Sequence, residues 1–215
     1  MSTTSTTNTK SAEELLRRTE ITGGARYTAA HRMELHGWAA QWTLAFLAVG
    51  QIIISLIPAL GLRSNFGENY VGFASVLFAV LVLAYSLLLG MADYSARAVR
   101  MHGCGLALGR LARHLVFLIH RGNVTDAEYK EAAKDYYDIL DKHENHTRRD
   151  YLVAHHQYYD TRASKLDIFS HPWWRERTRL AWVKARILVL SALQLSHYAA
   201  SLGLMYSWIY CMVRS

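Results

Sequence analysis

The chemically richest run in this chain is short: His143-Glu144-Asn145-His146-Thr147-Arg148-Arg149-Asp150. Imidazoles beside carboxylates can hold a metal ion or move a proton. The spacing does not match the zinc signature H-E-x-x-H, which sets two imidazoles one helical turn apart around a carboxylate base. The chain's two cysteines, Cys104 and Cys211, lie far away in sequence. Of the 11 histidines, 8 fall between residues 93 and 186 without ligand spacing. Glu144, His146 and Asp150 are general acid–base types, but no nucleophile, oxyanion element or Gly-rich phosphate loop accompanies them. No catalytic residue, metal or cofactor is therefore expected. Glu144, Asn145, His146 and Asp150 are expected instead to form a buried hydrogen-bond network where helices meet, because polar groups so crowded need partners.

A second set of polar residues is notable for its surroundings. Gln41, Gln51 and Ser55 sit in one uncharged stretch, Ser75 and Ser86 in another, and Gln194, His197 and Ser201 in a third. At 100° per residue, Gln51 and Ser55 lie about 80° and about 40° from Gln41, on one side of a helix. Gly37 and Ala48 share that side, and Gly72, Ala79 and Gly90 accompany Ser75 and Ser86. Small residues let membrane helices approach closely. Polar groups at membrane depth turn inward or line water-filled paths. Gln41, Gln51, Ser55, Ser75, Ser86 and His197 are thus candidates to line a pore, with helix packing as the plainer use of the same residue types.

The elements that carry these residues follow from the charge pattern. Residues 37–62, 69–92 and 187–213 contain no Asp, Glu, Lys or Arg. Crossing about 30 Å of hydrocarbon takes roughly 20 helical residues, and each stretch is longer. The first two, separated by a short loop around Ser64, Asn65 and Gly67, read as a transmembrane hairpin. The third holds more polar residues and is a third span, or else a helix that packs in the cytoplasmic layer or re-enters the membrane. Trp173, Trp174 and the basic residues Arg175 to Arg186 mark an interface before it, with Ser170 and Pro172 as its start.

Between the second and third stretches, Leu108, Leu111, Leu115 and Leu118 recur at helical spacing, and Gly122-Asn123 makes a turn. Thr125 to Glu128 reads as a capping box before a helix with the stripe Tyr129, Ala133, Tyr136 and Leu140. A further helix carries Tyr151, His155, Tyr158 and Tyr159. No strand pattern or internal repeat is present. The expected fold is all-α: a 1–36 N-terminal segment whose first ten or so residues form a loose tail, a 37–92 hairpin, a 93–186 helical bundle and a 187–213 third span.

Composition agrees with a membrane protein. Hydrophobic residues make up 52% of the 215, and charged ones 19%, with a net charge of +7. Soluble domains carry roughly 25% charged residues. The N-terminal segment holds Lys10, Arg17, Arg18, Arg26 and Arg32, and residues 93–186 hold 17 Lys and Arg against 12 Asp and Glu. The hairpin loop holds only Arg63. The positive-inside rule then puts the N-terminus and the central region in the cytoplasm, in an inner, multi-pass membrane protein. Asn123 and Asn145 begin glycosylation sequons that this topology makes fortuitous.

The segment from Tyr136 to Tyr151, placed after a two-span hairpin, resembles the SLATT family of bacterial two-transmembrane defence effectors, most closely the subgroup found beside reverse transcriptases. The positions that carry the likeness are Tyr137, Leu140, Glu144, Asn145, His146, Asp150 and Tyr151. The resemblance implies a role in antiphage defence, as a membrane-disrupting or pore-forming effector held silent until an upstream sensor fires. It also implies partners: a reverse transcriptase or its nucleic-acid product, or a nucleotide second messenger. A third span departs from the family's two. A chain of this size cannot enclose an aqueous path alone, so conduction requires a homo-oligomer in the lipid bilayer. The competing expectation is a non-conducting membrane anchor whose cytoplasmic bundle binds a partner protein or nucleic acid. A basic excess would suit anionic headgroups as well as nucleic acid.

Overall fold

In a computed structural model of the chain, residues 2–61, 67–163 and 173–214 are described. Six helices follow in order: α1 (Ser2–Ala59), α2 (Glu68–Ala92), α3 (Tyr94–Arg121), α4 (Asp126–Asp141), α5 (Arg148–Ala163) and α6 (Trp173–Val213). The described residues contain no strand, as the sequence implies. The hairpin loop around Ser64 and the expected helix start at Ser170 and Pro172 lie outside the described residues, as do the side chains of Trp173 and Trp174.

Among the described residues, two helices are long and apolar enough to cross a membrane, Asn8–Ala59 and Asn69–Arg121. A third crossing is counted if Ala185–Leu193 and Leu195–Val213, bent by 45° to each other, act as one span. The expected N-terminal tail is instead helical from Ser2. Extending a helix adds about one hydrogen bond per residue fixed, without the cost of a new nucleus, so the docked part of α1 carries the preceding residues with it.

The chain divides into two compact units. The first joins residues 1–33 to 96–187, and the second joins 34–95 to 188–215. In the first, α3 turns its regular leucine face inward. Cys104, Leu108, Leu111 and Leu115 pack with Leu15 of α1 and with Ala132 and Tyr136 of α4. A smaller cluster joins Ala12, Leu118 and Val124 beneath the α3–α4 turn. That turn needs positive φ at Gly122 (73°) and Asn123 (54°), a conformation open to Gly and tolerated by Asn. Gly24 of α1 lies where an added Cβ would stand 3.2 Å from the Ala154 Cβ of α5, so its missing side chain sets how closely those helices approach.

The second unit is built on a different pattern. Leu47, Ile54 and Ile57 of α1 meet Val71, Ala74 and Phe78 of α2 and Met205 and Met212 of α6. Most other large apolar side chains here face outward; Phe73, Val76, Leu83 and Leu88 are all exposed. Bilayer hydrocarbon is the environment that suits such a surface. α2 ends at Asp93, whose backbone is left-handed (φ 44°).

Candidate functional site

The histidine-rich run joins α4 to α5 in the first unit, and α1 and α3 both reach it. Thr147 precedes α5 and accepts from the Asp150 backbone N–H at 3.4 Å, while its own N–H and hydroxyl donate to the Asp150 carboxylate at 3.1 and 2.7 Å. The same carboxylate receives Nε and Nη2 of Arg32, both at 3.0 Å, in a two-pronged ion pair from α1. Asp150 is fully buried and the Arg32 side chain is 16% exposed. Burial pushes the Asp150 carboxyl up, but the guanidinium and Thr147 outweigh it and hold it below its ordinary value. Arg149 beside it is pushed down by burial.

Glu144 is tied differently. Its carboxylate takes Nε of Arg97 at 3.0 Å and Nη2 of Arg100 at 3.4 Å from α3. Its backbone carbonyl accepts from the buried Arg26 of α1. Asn145 is exposed and accepts from the His146 backbone N–H at 3.0 Å. The His146 ring leads a line along α5, with Tyr151, His155 and Tyr159 at successive centroid distances of 6.0, 5.6 and 4.7 Å. Tyr159 accepts from Arg17 at 3.3 Å. Leu140 packs on the unit's main core. Tyr137 is exposed and lines a groove of 340 Å³ with Lys10, Glu14, Arg18 and Tyr129.

The expected buried network therefore needs correction. Of Glu144, Asn145, His146 and Asp150, only Asp150 is buried; Glu144 and Asn145 face solvent and His146 is half-buried. The motif's carboxylates pair outward with arginines of α1 and α3. A carboxylate in a short loop is better satisfied by a guanidinium on a neighbouring helix than by other acceptors beside it. Arg26, Arg32 and Arg97 were not legible as partners, because they lie far from the motif in sequence. Among the described residues no three His, Cys, Asp or Glu side chains come together as a metal-ligating group.

In the second unit, the candidate pore residues separate. Gln51 Nε2 donates to Ser75 Oγ at 2.9 Å, and Ser55 Oγ lies 3.4 Å from Ser75 Oγ, so these three form one cluster between α1 and α2. Ser55 is exposed and Gln51 half-buried, and the Gln51 Oε1 has no partner among the described residues. Gln41 and Ser86 are exposed and stand outside this cluster. His197 belongs to a separate region. With Tyr85, Tyr94 and Tyr198 it lines a largely apolar cavity of 540 Å³, and its carbonyl accepts from Tyr85 (3.3 Å) and Ser201 (2.7 Å). The Gln194 side chain lies outside the described residues.

An all-helical chain with two membrane-length apolar helices, and with its charges gathered elsewhere, defines a small helical membrane protein. Its sequence narrows this: residues 8–201 match the SMODS and SLOG-associating 2TM effector domain family 5, and the chain belongs to that family. It is thus a membrane effector of defence. No curated protein and no solved structure matches it.

Proposed function

We propose that the protein permeabilises the inner membrane as a homo-oligomer, opening a path when an upstream sensor fires. The observation that supports this is the Gln51–Ser55–Ser75 cluster. These polar groups lie inside two apolar helices and are left partly open in a single chain. Hydrocarbon is a poor environment for an amide or hydroxyl, and such groups are satisfied by a neighbouring helix or by water. Both alternatives call for further copies around the hairpin. The N-terminal and central basic residues are assigned to the cytoplasm, where a sensor's signal arrives. A reverse transcriptase or its nucleic-acid product, or a nucleotide second messenger, fits a basic cytoplasmic region.

The test is ion flux from purified protein in liposomes, with oligomer mass measured in the same preparation. Gln51→Leu with Ser55→Leu is expected to suppress flux while leaving oligomers intact. Normal oligomers with undiminished flux would remove this cluster as the lining of the path. Loss of assembly together with flux would make the cluster a packing seam. The anchor reading is favoured by the exposed arginine–Glu144 network between α3 and the α4–α5 turn, which offers charged groups to a partner. It predicts no flux at any protein density and partner binding that survives Gln51→Leu with Ser55→Leu.

A further inference from the structure

The first unit carries two outward faces that cannot meet within one chain. On α3 the buried residues lie on one side, and directly opposite runs Val99, Gly103, Leu106, Arg110, Arg113 and Phe117, all exposed. The intervals alternate between four and three, the 3.5-residue period of a helix that packs lengthwise against another. Val99 and Phe117 are 70% and 62% exposed, and nothing stands within 4 Å of where a Gly103 Cβ would be. On α4 the side turned away from Ala132 and Tyr136 shows Glu131, Asp138 and Asp141, with Asp135 at its edge and Lys130 and Lys134 among them, all exposed. One face is apolar and cationic, and the other is net anionic.

We infer that these are the two halves of a contact between neighbouring copies of the chain, α3 of one against α4 of the next. Resting on the oligomeric reading above, this names the surface that builds the oligomer. Three features favour a second copy as the occupant. The charges are complementary, which steers and orients association. The levels also agree. α3 and α4 form a hairpin about the turn at 122–125, and a helix rises about 1.5 Å per residue. Counting back from the turn along α3 and forward along α4 sets Arg113 level with Lys134–Asp135, and Arg110 level with Asp138. Copies related by rotation about an axis along these helices keep those levels, so each cation meets the acidic stretch of its neighbour. The two faces also differ, and a head-to-tail contact between unlike faces propagates until it closes into a ring, the symmetry an enclosed path needs.

The experiment uses the full chain purified in detergent, with mass from light scattering and flux measured after reconstitution. Arg110→Glu with Arg113→Glu, and separately Asp135→Arg with Asp138→Arg, are each expected to weaken assembly at least tenfold. Mixing the two variants in equal amounts restores it, since each then offers the other an opposite charge; this also shows that both fold. Raised salt weakens wild-type assembly, as screening requires. Variants that assemble like wild type, or a wild type that is monomeric at every concentration, would overturn the interface. Intact assembly with normal flux in both variants leaves the pore reading standing and removes only this surface. Monomeric variants that conduct like wild type keep the surface and remove the oligomeric pore.

Discussion

The two units solve the same problem, fixing helices against one another, with opposite materials. In the first unit, charged partners meet across helices: Arg32 with Asp150, Arg97 with Glu144, and Arg121 with Glu128 across the α3–α4 turn. In the second, uncharged groups meet across helices, as between Gln51 and Ser75 or between Tyr85 and Ser201 at 2.5 Å. Ion pairs are affordable where water can solvate them if they open. Neutral hydrogen bonds and close packing are what hydrocarbon permits. The contrast locates orientation-specific, breakable interactions in one unit and shape-based cohesion in the other.

The largest expected effect comes from breaking the buried ion pair. Asp150→Ala strands Arg32 in a mostly buried position and should cost about 3–5 kcal/mol, read as a lowered unfolding midpoint of the first unit in detergent. A change no larger than that of an exposed-pair variant such as Arg100→Ala would mean the pair is decorative. Next, Leu115 and Leu47 are both fully buried, one in each unit. Leu115→Ala should cost about 2–5 kcal/mol, transfer and cavity terms together. Leu47→Ala should cost less than half as much in a bilayer, since lipid is as apolar as the core it leaves. Equal costs would erase the distinction between the units.

Acid should act on one unit only. The Asp150 carboxyl is held below its ordinary value in the folded chain. Its stabilisation is therefore complete above the unfolded value of about 3.9 and is lost as pH falls through the lower folded value. Far-ultraviolet and tyrosine signals of the first unit should persist down to about pH 4 and fail below it, ahead of any change in the hairpin. The smallest effect is at the cap. Thr125→Ala removes the hydroxyl that accepts from the Glu128 N–H at 3.3 Å and should cost about 1 kcal/mol, visible as faster amide exchange in the first turn of α4.

Local features of this fold were readable in the sequence because local physics decides them. The capping box at Thr125 and Glu128 is present in full. Leu108, Leu111, Leu115 and Leu118 are all buried on one face of α3. The first two uncharged stretches became membrane-length helices because they hold no charged group that must stay in water. What could not be read was pairing at a distance. Arg32 and Asp150 are separated by 118 positions, and neither residue type nor spacing distinguishes Arg32 from the other N-terminal arginines. α1 hid its length for a similar reason. Gly23 and Gly24 look like helix breakers, yet they stand where α3 and α5 come close. Of the candidate site, Gln51, Ser55 and Ser75 cluster, whereas Gln41 and Ser86, assigned by angle alone, do not join them.

The first unit is discontinuous: the chain leaves it at Met33 and returns at Ala96. Everything between those points is the hairpin. A ribosome therefore delivers Arg26 and Arg32 early and their partners Glu144 and Asp150 late, with both apolar helices emerging in the interval. The N-terminal helix must wait without the Arg32–Asp150 ion pair until the hairpin has left the ribosome, and domains folding during synthesis gain roughly 5–20 residues per second. Closing the unit thus comes after delivery of the hairpin, which gives the cell an interval in which an unfinished effector lacks the clamp that orders its first unit.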